Sequence, residues 1–220
     1  MLGPDMVHIH SYYPDTNKPQ PVVPGTSVAG ALRARVTRIA HLLGADAEGF
    51  VFDLFGPDMD MVKQPRGSTI RIAESYITSG VESGRVQNRV AIDRFTGGAR
   101  DTALFNEQPL FGRGEPCIRI KATVIHTGDD RRFNAQVGML LLLLKDLWLG
   151  ELPLGGEVSV GRGRLTGHRA SMRLEQQGET TKYEIVQGED GLIVTDSAEK
   201  PLEAYVTALH TYLSAQEKLA

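Results

Sequence analysis

The chain has 220 residues, 41% of them hydrophobic and 23% charged, and a formal net charge of −3. This composition fits one globular domain, with or without a large insertion, and a substantial core. A single cysteine, Cys117, excludes an internal disulfide and favours a reducing, cytoplasmic setting. The longest apolar run, around Met139–Leu144, is far too short to cross a membrane.

The charge is unevenly distributed along the chain. The whole sequence holds 24 Lys+Arg and 27 Asp+Glu, of which residues 174–220 hold 3 and 9, leaving 21 and 18 for residues 1–173. We therefore predict a mildly basic core over residues 1–173 and an acidic extension over residues 174–220. The negative total does not argue against a polyanionic partner for the basic part.

The N-terminal third predicts one helix between irregular segments. Prolines interrupt residues 1–25, so only a weak strand is expected, over Met6–Tyr13. Thr26 or Ser27 is expected to cap the helix, which would end at Gly44. Residues 45–68 are predicted to form a loop. The apolar stripe of the helix consists of Val28, Leu32, Val36, Ile39 and Leu43.

The middle of the chain predicts three strands and a projection. Alternating apolar residues indicate strands over Thr69–Ser79, Val86–Ile92 and Cys117–Ile125. Between the last two, Asp93–Gly114 is expected to project from the body.

Two helices and a hairpin complete the predicted elements. Asn134 is expected to cap the second helix, whose apolar side chains would face the core. The glycine-rich segment that begins at Gly155 should lead into a strand. A small hairpin is expected from Lys182–Val186 and Leu192–Val194, and Pro201 should open a last helix.

The order of elements indicates an α+β fold. Helix, strands, helix and strands suit a ferredoxin-like, RRM-like antiparallel sheet with both main helices on one face. The projecting segment would be a hairpin, and residues 174–220 would add a hairpin and a helix. This fold requires a strand before the first helix, which residues 1–25 supply poorly.

A glycine–arginine segment, Leu154–Leu165, is the most informative part of the sequence. Glycine lets a backbone approach a ligand closely, and the arginine fork suits phosphate. The segment predicts a polyanion site, although a glycine-rich turn without a ligand remains the alternative. Its candidate RNA-binding residues are Gly155, Gly156, Gly161, Arg162, Gly163 and Arg164.

Two further basic clusters point to the same kind of partner. On the first helix, Arg33, Arg35 and Arg38 could contact phosphates beside the helix N-terminus at Ser27, or form a solvated helix flank. In the projecting segment, basic residues alternate with rings, as single-stranded nucleic acid requires, unless the rings pack inward. The candidates there are Arg94, Phe95, Arg100 and Phe105.

The acid–base groups cluster near the N-terminus. Asp5 or, less well placed, Asp15 could assist a 2′-hydroxyl in attacking its own phosphate, by orientation or by recruiting a metal. Ordinary loop carboxylates are the alternative. His8 and His10 could share one strand face, but no third ligand is evident, so we predict no protein-built metal site.

Four segments of this chain resemble the RAMP superfamily, the RNA-binding subunits of CRISPR–Cas effector complexes. Val22–Arg33 is similar to the family's Pro-Gly-Ser/Thr-Ser…Gly-x-x-Arg segment. Arg89–Ala99 resembles Arg-x-x-Ile-Asp-Arg-x-Thr-Gly-x-Ala, and Leu104–Glu107 resembles the Leu-Phe-x-x-Glu that follows it. The glycine-rich loop Gly155–Gly163 matches a loop near the end of the family's core. The segments occur in the same order as in the family. Within the family, the chain most resembles the type III backbone subunits.

The resemblance implies an RRM-like core that stacks head-to-tail with other effector subunits along a guide RNA. A thumb hairpin, here about Asp93–Glu107 with Thr96, Gly97 and Gly98 at its turn, would interrupt pairing between the guide and a complementary target RNA. By position, Asp5 would cut the target, with Mg²⁺ as the one expected cofactor. This chain departs from the family pattern because it lacks a convincing first strand and the glycine-containing loop that usually follows that strand.

Two other functions remain open at this point. A ferredoxin-like enzyme could bind a phosphorylated small molecule through the glycine-rich loop. An inactive subunit could bind RNA without cutting it. The small-molecule enzyme would require a closed pocket. The inactive subunit would require that replacing Asp5 has no effect on RNA cleavage.

Overall fold

A computed structural model describes residues 3–13, 17–43, 47–57, 66–112, 118–176, 178–189, 191–196 and 201–216. The chain forms two compact units. The first unit comprises Met1–Gly25 and Ala73–Lys121, and the second comprises Thr26–Ile72 and Ala122–Ala220. Among the described residues, antiparallel strand pairs predominate and four helices accompany them, so the predicted α+β, ferredoxin-like class is confirmed.

The helices are α1 (Gly25–Leu43), α2 (Ala47–Phe55), α3 (Asp130–Trp148) and α4 (Glu203–Gln216). The strands are β1 (Met6–Val7), β2 (His10–Tyr13), β3 (Lys18–Val23), β4 (Ile70–Ile72), β5 (Ser75–Tyr76), β6 (Val81–Ser83), β7 (Gln87–Ile92), β8 (Ala99–Gln108), β9 (Leu110–Gly112), β10 (Ala122–Val124), β11 (Arg169–Gln176), β12 (Glu179–Gln187) and β13 (Leu192–Asp196).

The proline-rich N-terminus is more regular than expected. Instead of one weak strand, it forms β1, β2 and β3, and β2 pairs antiparallel with β3. The Val22 amide donates to the Ile9 carbonyl at 3.0 Å, so the amide positions of Pro19 and Pro21 point to the other edge of β3. On that edge β3 pairs with β5, and the Pro21 carbonyl accepts from the Ile77 amide at 2.9 Å. Only the reciprocal bond that a Pro21 N–H would donate is lost.

The expected thumb is the longest hairpin of the first unit. Strands β7 and β8 pair antiparallel from Gln87↔Glu107 outward, with an irregularity between Val90 and Ile92. Strand β1 adds to β8 in parallel, through Met6↔Glu107 and Val7↔Gln108. The hairpin therefore begins several residues before the predicted Asp93–Glu107.

The start of α1 corrects the predicted cap. The helix begins at Gly25, directly after Pro24, so Thr26 and Ser27 lie in its first turn. The apolar stripe is as predicted at three positions, and Ala40 extends it while Ile39 and Leu43 are half-buried. The fully buried residues of α1 are Val28, Leu32, Val36 and Ala40.

Helix α2 corrects the loop predicted over residues 45–68. Ala47, Phe50, Val51 and Leu54 are buried at helical spacing. The stretch is only nine residues long and contains a glycine, which obscured its periodicity. Likewise, Asp129 rather than Asn134 caps α3: its side chain accepts from the Arg132 amide.

The predicted strand Thr69–Ser79 is divided between the two units. Strand β4 pairs with β10 in the second unit, whereas β5 pairs with β3 in the first. Of the third predicted strand, Cys117 lies outside the described residues, and only Ala122–Val124 is a regular strand.

The C-terminal part packs into the second unit. Strands β11, β12 and β13 form an antiparallel sheet, so the predicted hairpin is present with a third strand. The expected boundary at residue 173 falls within β11. Helix α4 begins at Glu203, two residues after Pro201. A shared core joins α3, α4 and the sheet through Phe133, Val137, Leu174, Tyr183 and Tyr205.

Among the described residues, no helix is long and apolar enough to span a bilayer.

Candidate nucleic-acid interface

The tip of the thumb hairpin is a locally bonded turn. The Asp93 carboxylate accepts from the Phe95 and Thr96 amides, both at 2.9 Å, and from the Thr96 hydroxyl at 3.2 Å. The backbone closes with Asp93 N donating to Gly98 O and Gly97 N to Asp93 O. Hydrogen bonds from Thr96 and then Phe95 lower the pKa of Asp93, because they favour the ionised carboxylate.

The turn presents an aromatic ring to solvent. Phe95 is 99% exposed, so it contributes nothing to a core. Arg94 and Arg100 are also exposed on either side of the turn, whereas Phe105 is half-buried in β8. Two cations on either side of the turn can bind a phosphate chain, and the exposed ring between them can stack on a base. RNA contact by these residues remains a prediction.

Asp5, the residue predicted to cleave RNA, lies at the stem of the same hairpin. Its backbone amide donates to Asn106 Oδ1 at 2.8 Å, and its Oδ2 accepts from the Asn106 amide at 2.9 Å. The neighbouring Glu107 is buried and accepts from Arg89 Nε at 2.5 Å. Asp15, the second candidate, lies outside the described residues.

The two histidines lie beside this stem without forming a ligand cluster. His10 Nδ1 is 2.8 Å from the His8 carbonyl, and the ring centroids are 6.2 Å apart. Burial lowers the pKa of His8, against a raising hydrogen bond with the Val22 backbone. The described residues contain no group of three or more His, Cys, Asp or Glu side chains able to hold a metal.

The glycine-rich loop of the second unit is closed by its own backbone. The Leu154 amide donates to the Gly163 carbonyl at 2.9 Å, and a single 3-10 turn spans Val158–Val160. Gly163 has φ +73°, and a Cβ there would overlap the Leu154 carbonyl. Glycine is therefore required at this position for the loop to close.

Other glycines of this loop have no packing requirement. A Cβ at Gly155, Gly156 or Gly161 would meet nothing within 4 Å. The space above them is open, so a ligand backbone can approach closely. Arg162 is half-buried, and Arg164 Nη1 lies 3.5 Å from the Gly150 carbonyl.

The arginines of α1 have different environments. Arg35 Nε donates to Asp146 of α3 at 2.7 Å, and this hydrogen bond raises the Arg35 pKa. Arg35 therefore joins two helices in addition to any phosphate contact. Arg38 is exposed and Arg33 is half-buried. Ser27 is exposed in the first helical turn, where amides have no helical acceptor.

The structure thus groups the candidate residues by unit. The first unit brings Asp5 to the stem of the thumb, and the second holds the α1 arginines and the glycine-rich loop. Sequence reasoning missed the hydrogen bonds of Asn106 and the Arg89–Glu107 ion pair. The sequence signal for these contacts was that Arg89, Asn106 and Glu107 fall in the family-like segments Arg89–Ala99 and Leu104–Glu107.

The sequence model of the RAMP superfamily matches residues 5–166, which is well over half of the chain. The protein belongs to the RAMP superfamily. Membership supports, at the level of class, a subunit of a CRISPR–Cas effector complex.

Comparison with solved structures finds a chain described as "Type IV-B CRISPR Complex", with a TM-score of 0.46 and 12% sequence identity. The alignment covers 89% of this chain and 83% of that one. A search of curated proteins finds no match.

Proposed function

We propose that this protein is a guide RNA-binding backbone subunit of a type III CRISPR–Cas effector complex that cleaves target RNA through Asp5. The RAMP match over residues 5–166 carries the proposal. The type III assignment and cleavage rest on the sequence motifs and on the placement of Asp5 at the thumb stem.

Guide RNA binding is supported by the chemistry of the second unit. The open backbone at Gly155 and Gly156 admits a phosphate chain at short range. Arg33, Arg38 and Arg162 supply cations, so phosphate contacts dominate and binding tolerates sequence changes. The thumb tip, with exposed Phe95, is suited to separate stacked bases.

Cleavage proceeds by an internal transesterification. The 2′-oxygen forms a bond to the adjacent phosphorus, the bond from phosphorus to the 5′-oxygen breaks, and a 2′,3′-cyclic phosphate and a 5′-hydroxyl result. Asp5 orients the 2′-hydroxyl and accepts its proton, while water supplies a proton to the leaving 5′-oxygen. The hydrogen bond at Oδ2 leaves acceptor capacity on the carboxylate for this role.

The oxygen ligands available at Asp5 fit Mg²⁺ only in part. Asp5 supplies one carboxylate, and Mg²⁺ in proteins combines one or two carboxylates with water and substrate phosphates. When bound there, the ion would neutralise phosphate charge.

The partners follow from the same proposal. The protein would bind a guide RNA and the complementary target RNA in the cytoplasm, and stack head-to-tail with other effector subunits. Acidic side chains of the C-terminal part, such as Glu184 and Glu189, would face a neighbouring subunit.

A pocket for a phosphorylated small molecule has less support. Two cavities in the described part of the chain have volumes near 450 and 260 Å³. Described residues lining the larger belong to α4, and those lining the smaller include Asp130 and Glu179, whose charge repels phosphate. Neither set includes a residue of the glycine-rich loop.

Nucleic acid should co-purify with the protein when it is expressed with its complex. We expect an absorbance ratio at 260 to 280 nm well above that of pure protein, and its loss at high salt, because counterion release drives the binding. A protein-like ratio at low salt, with no RNA bound on titration, would contradict the proposal.

Replacing Asp5 with alanine should abolish target cleavage and leave guide binding intact. The change removes the carboxylate, whereas the RNA groove is assigned to residues of the second unit. Cleavage of a labelled complementary RNA by assembled complexes checks this expectation. Equal cleavage by the wild type and Asp5→Ala would remove Asp5 from the reaction, and no cleavage by either would indicate an RNA-binding subunit alone.

A further inference from the structure

The segment that carries Asp5 is held to β8 by two reciprocal hydrogen bonds. Each residue's backbone amide donates to the other's side chain, at 2.8 and 2.9 Å, across 101 residues of sequence. The Asp5 backbone is held by one of these bonds, and the Asp5 carboxylate by the other, through Oδ2. Together they fix the position of the Asp5 backbone against β8 and the direction of its carboxylate.

Little else in the described residues holds this segment in place. Strand β1 pairs with β8 at only two positions, and Met6 and Val7 are 44% and 60% exposed. Apolar burial therefore contributes little to the anchoring, and the bonds to Asn106 contribute a large share. Glu107, the next residue along β8, is buried and paired with Arg89, so the strand that receives Asp5 is itself braced.

We propose that Asn106 is a positioning residue for Asp5. Its side-chain oxygen accepts from the Asp5 backbone amide, and its own backbone amide donates to Asp5 Oδ2. Together these bonds hold the carboxylate at the thumb stem, with acceptor capacity left for an RNA 2′-hydroxyl. The proposal rests on the proposed function, because it assigns Asn106 a role only if Asp5 acts on RNA. A reacting group misplaced by about 1 Å can lose roughly 100-fold in rate.

Three substitutions separate positioning from general stability. Asn106→Ala removes the acceptor for the Asp5 amide, whereas Asn106→Asp keeps an oxygen there. Asn88→Ala is the matched control: Asn88 lies directly opposite Asn106 in the β7–β8 register and is exposed. It makes the same change on the same hairpin without touching the bonds to Asp5.

Cleavage is measured in assembled complexes under single-turnover conditions, together with target affinity. We expect Asn106→Ala to cleave about 10- to 100-fold more slowly with unchanged affinity. Asn88→Ala should cleave at the wild-type rate, and Asn106→Asp should recover most of the loss. A wild-type rate for Asn106→Ala, or an equal loss in Asn88→Ala, would overturn the proposal.

A second measurement does not depend on cleavage. In NMR spectra of the full chain, the backbone amide of Asn106 should move upfield and exchange faster with solvent in Asp5→Ala, because its acceptor is gone. An unresponsive Asn106 amide would overturn the positioning role even in an active complex. A responsive amide in a complex that cuts nothing would instead contradict the proposed cleavage.

Discussion

Replacing Gly138 with alanine should lower the free energy of unfolding by about 3 kcal/mol. Gly138 lies in α3 against α4, and a Cβ there would overlap the Tyr205 carbonyl. The obstruction is backbone, which cannot rotate away as a side chain can, so the helices must separate. Separation would also loosen the core formed by Phe133, Val137 and Tyr205. Urea unfolding followed by circular dichroism measures the change.

Gly30 provides the matched control for this substitution. It is also a helical glycine, in α1, but a Cβ there would meet nothing within 4 Å. Gly30→Ala should therefore raise the free energy of unfolding by roughly 0.5–1 kcal/mol, through lower entropy of the unfolded chain. Equal effects of the two substitutions would contradict close packing of α3 on α4 at Gly138.

The Arg33→Ala/Arg162→Ala double variant should bind guide RNA roughly 100-fold more weakly at low salt, because each arginine is assigned a charge-assisted phosphate contact. With two phosphates fewer neutralised, the slope of log affinity against log salt should fall by about 1.4. Fluorescence anisotropy with labelled guide RNA across a salt series gives both quantities. The two residues lie in α1 and in the glycine-rich loop, so the double variant tests both as parts of one groove.

Arg131→Ala/Arg173→Ala is the control for total charge. Both arginines are exposed in the second unit and lie outside α1 and the segment Leu154–Leu165, and Arg173 is paired with Glu175. This variant loses the same charge and should change affinity and slope much less. If the two double variants lose affinity equally, RNA binding follows net charge and the proposed groove is excluded.

Elements with an uninterrupted apolar period were predictable from the sequence. The stripe of α1 repeats every four residues from Val28, and its burial follows directly. Helix α2 was not predictable because its short sequence, interrupted by a glycine, shows little helical periodicity of apolar residues. The predicted cap of α3, Asn134, lies five residues after the observed cap, Asp129. Asp129 lies in a charged turn where several residues could cap the helix.

The parts of the candidate site that depend on long-range pairing could not be predicted. Nothing in the local sequence around Asp5 indicates Asn106, since the pair forms only when β1 adds to β8. Prolines likewise hid β3, because their cost in a strand depends on which edge their nitrogen faces. By contrast, the glycine-rich loop was visible in advance, since its φ requirement is a local property of the residue type.

The thumb turn derives its shape from hydrogen bonds among five of its residues, Asp93, Phe95, Thr96, Gly97 and Gly98. The hydrogen bonds that shape the apex are therefore local to the turn that joins β7 and β8. Replacing the turn between β7 and β8 with other turns would change the exposed aromatic side chain while the rest of the protein stays the same. Such a series would measure how the size of the exposed aromatic side chain at the apex affects RNA binding.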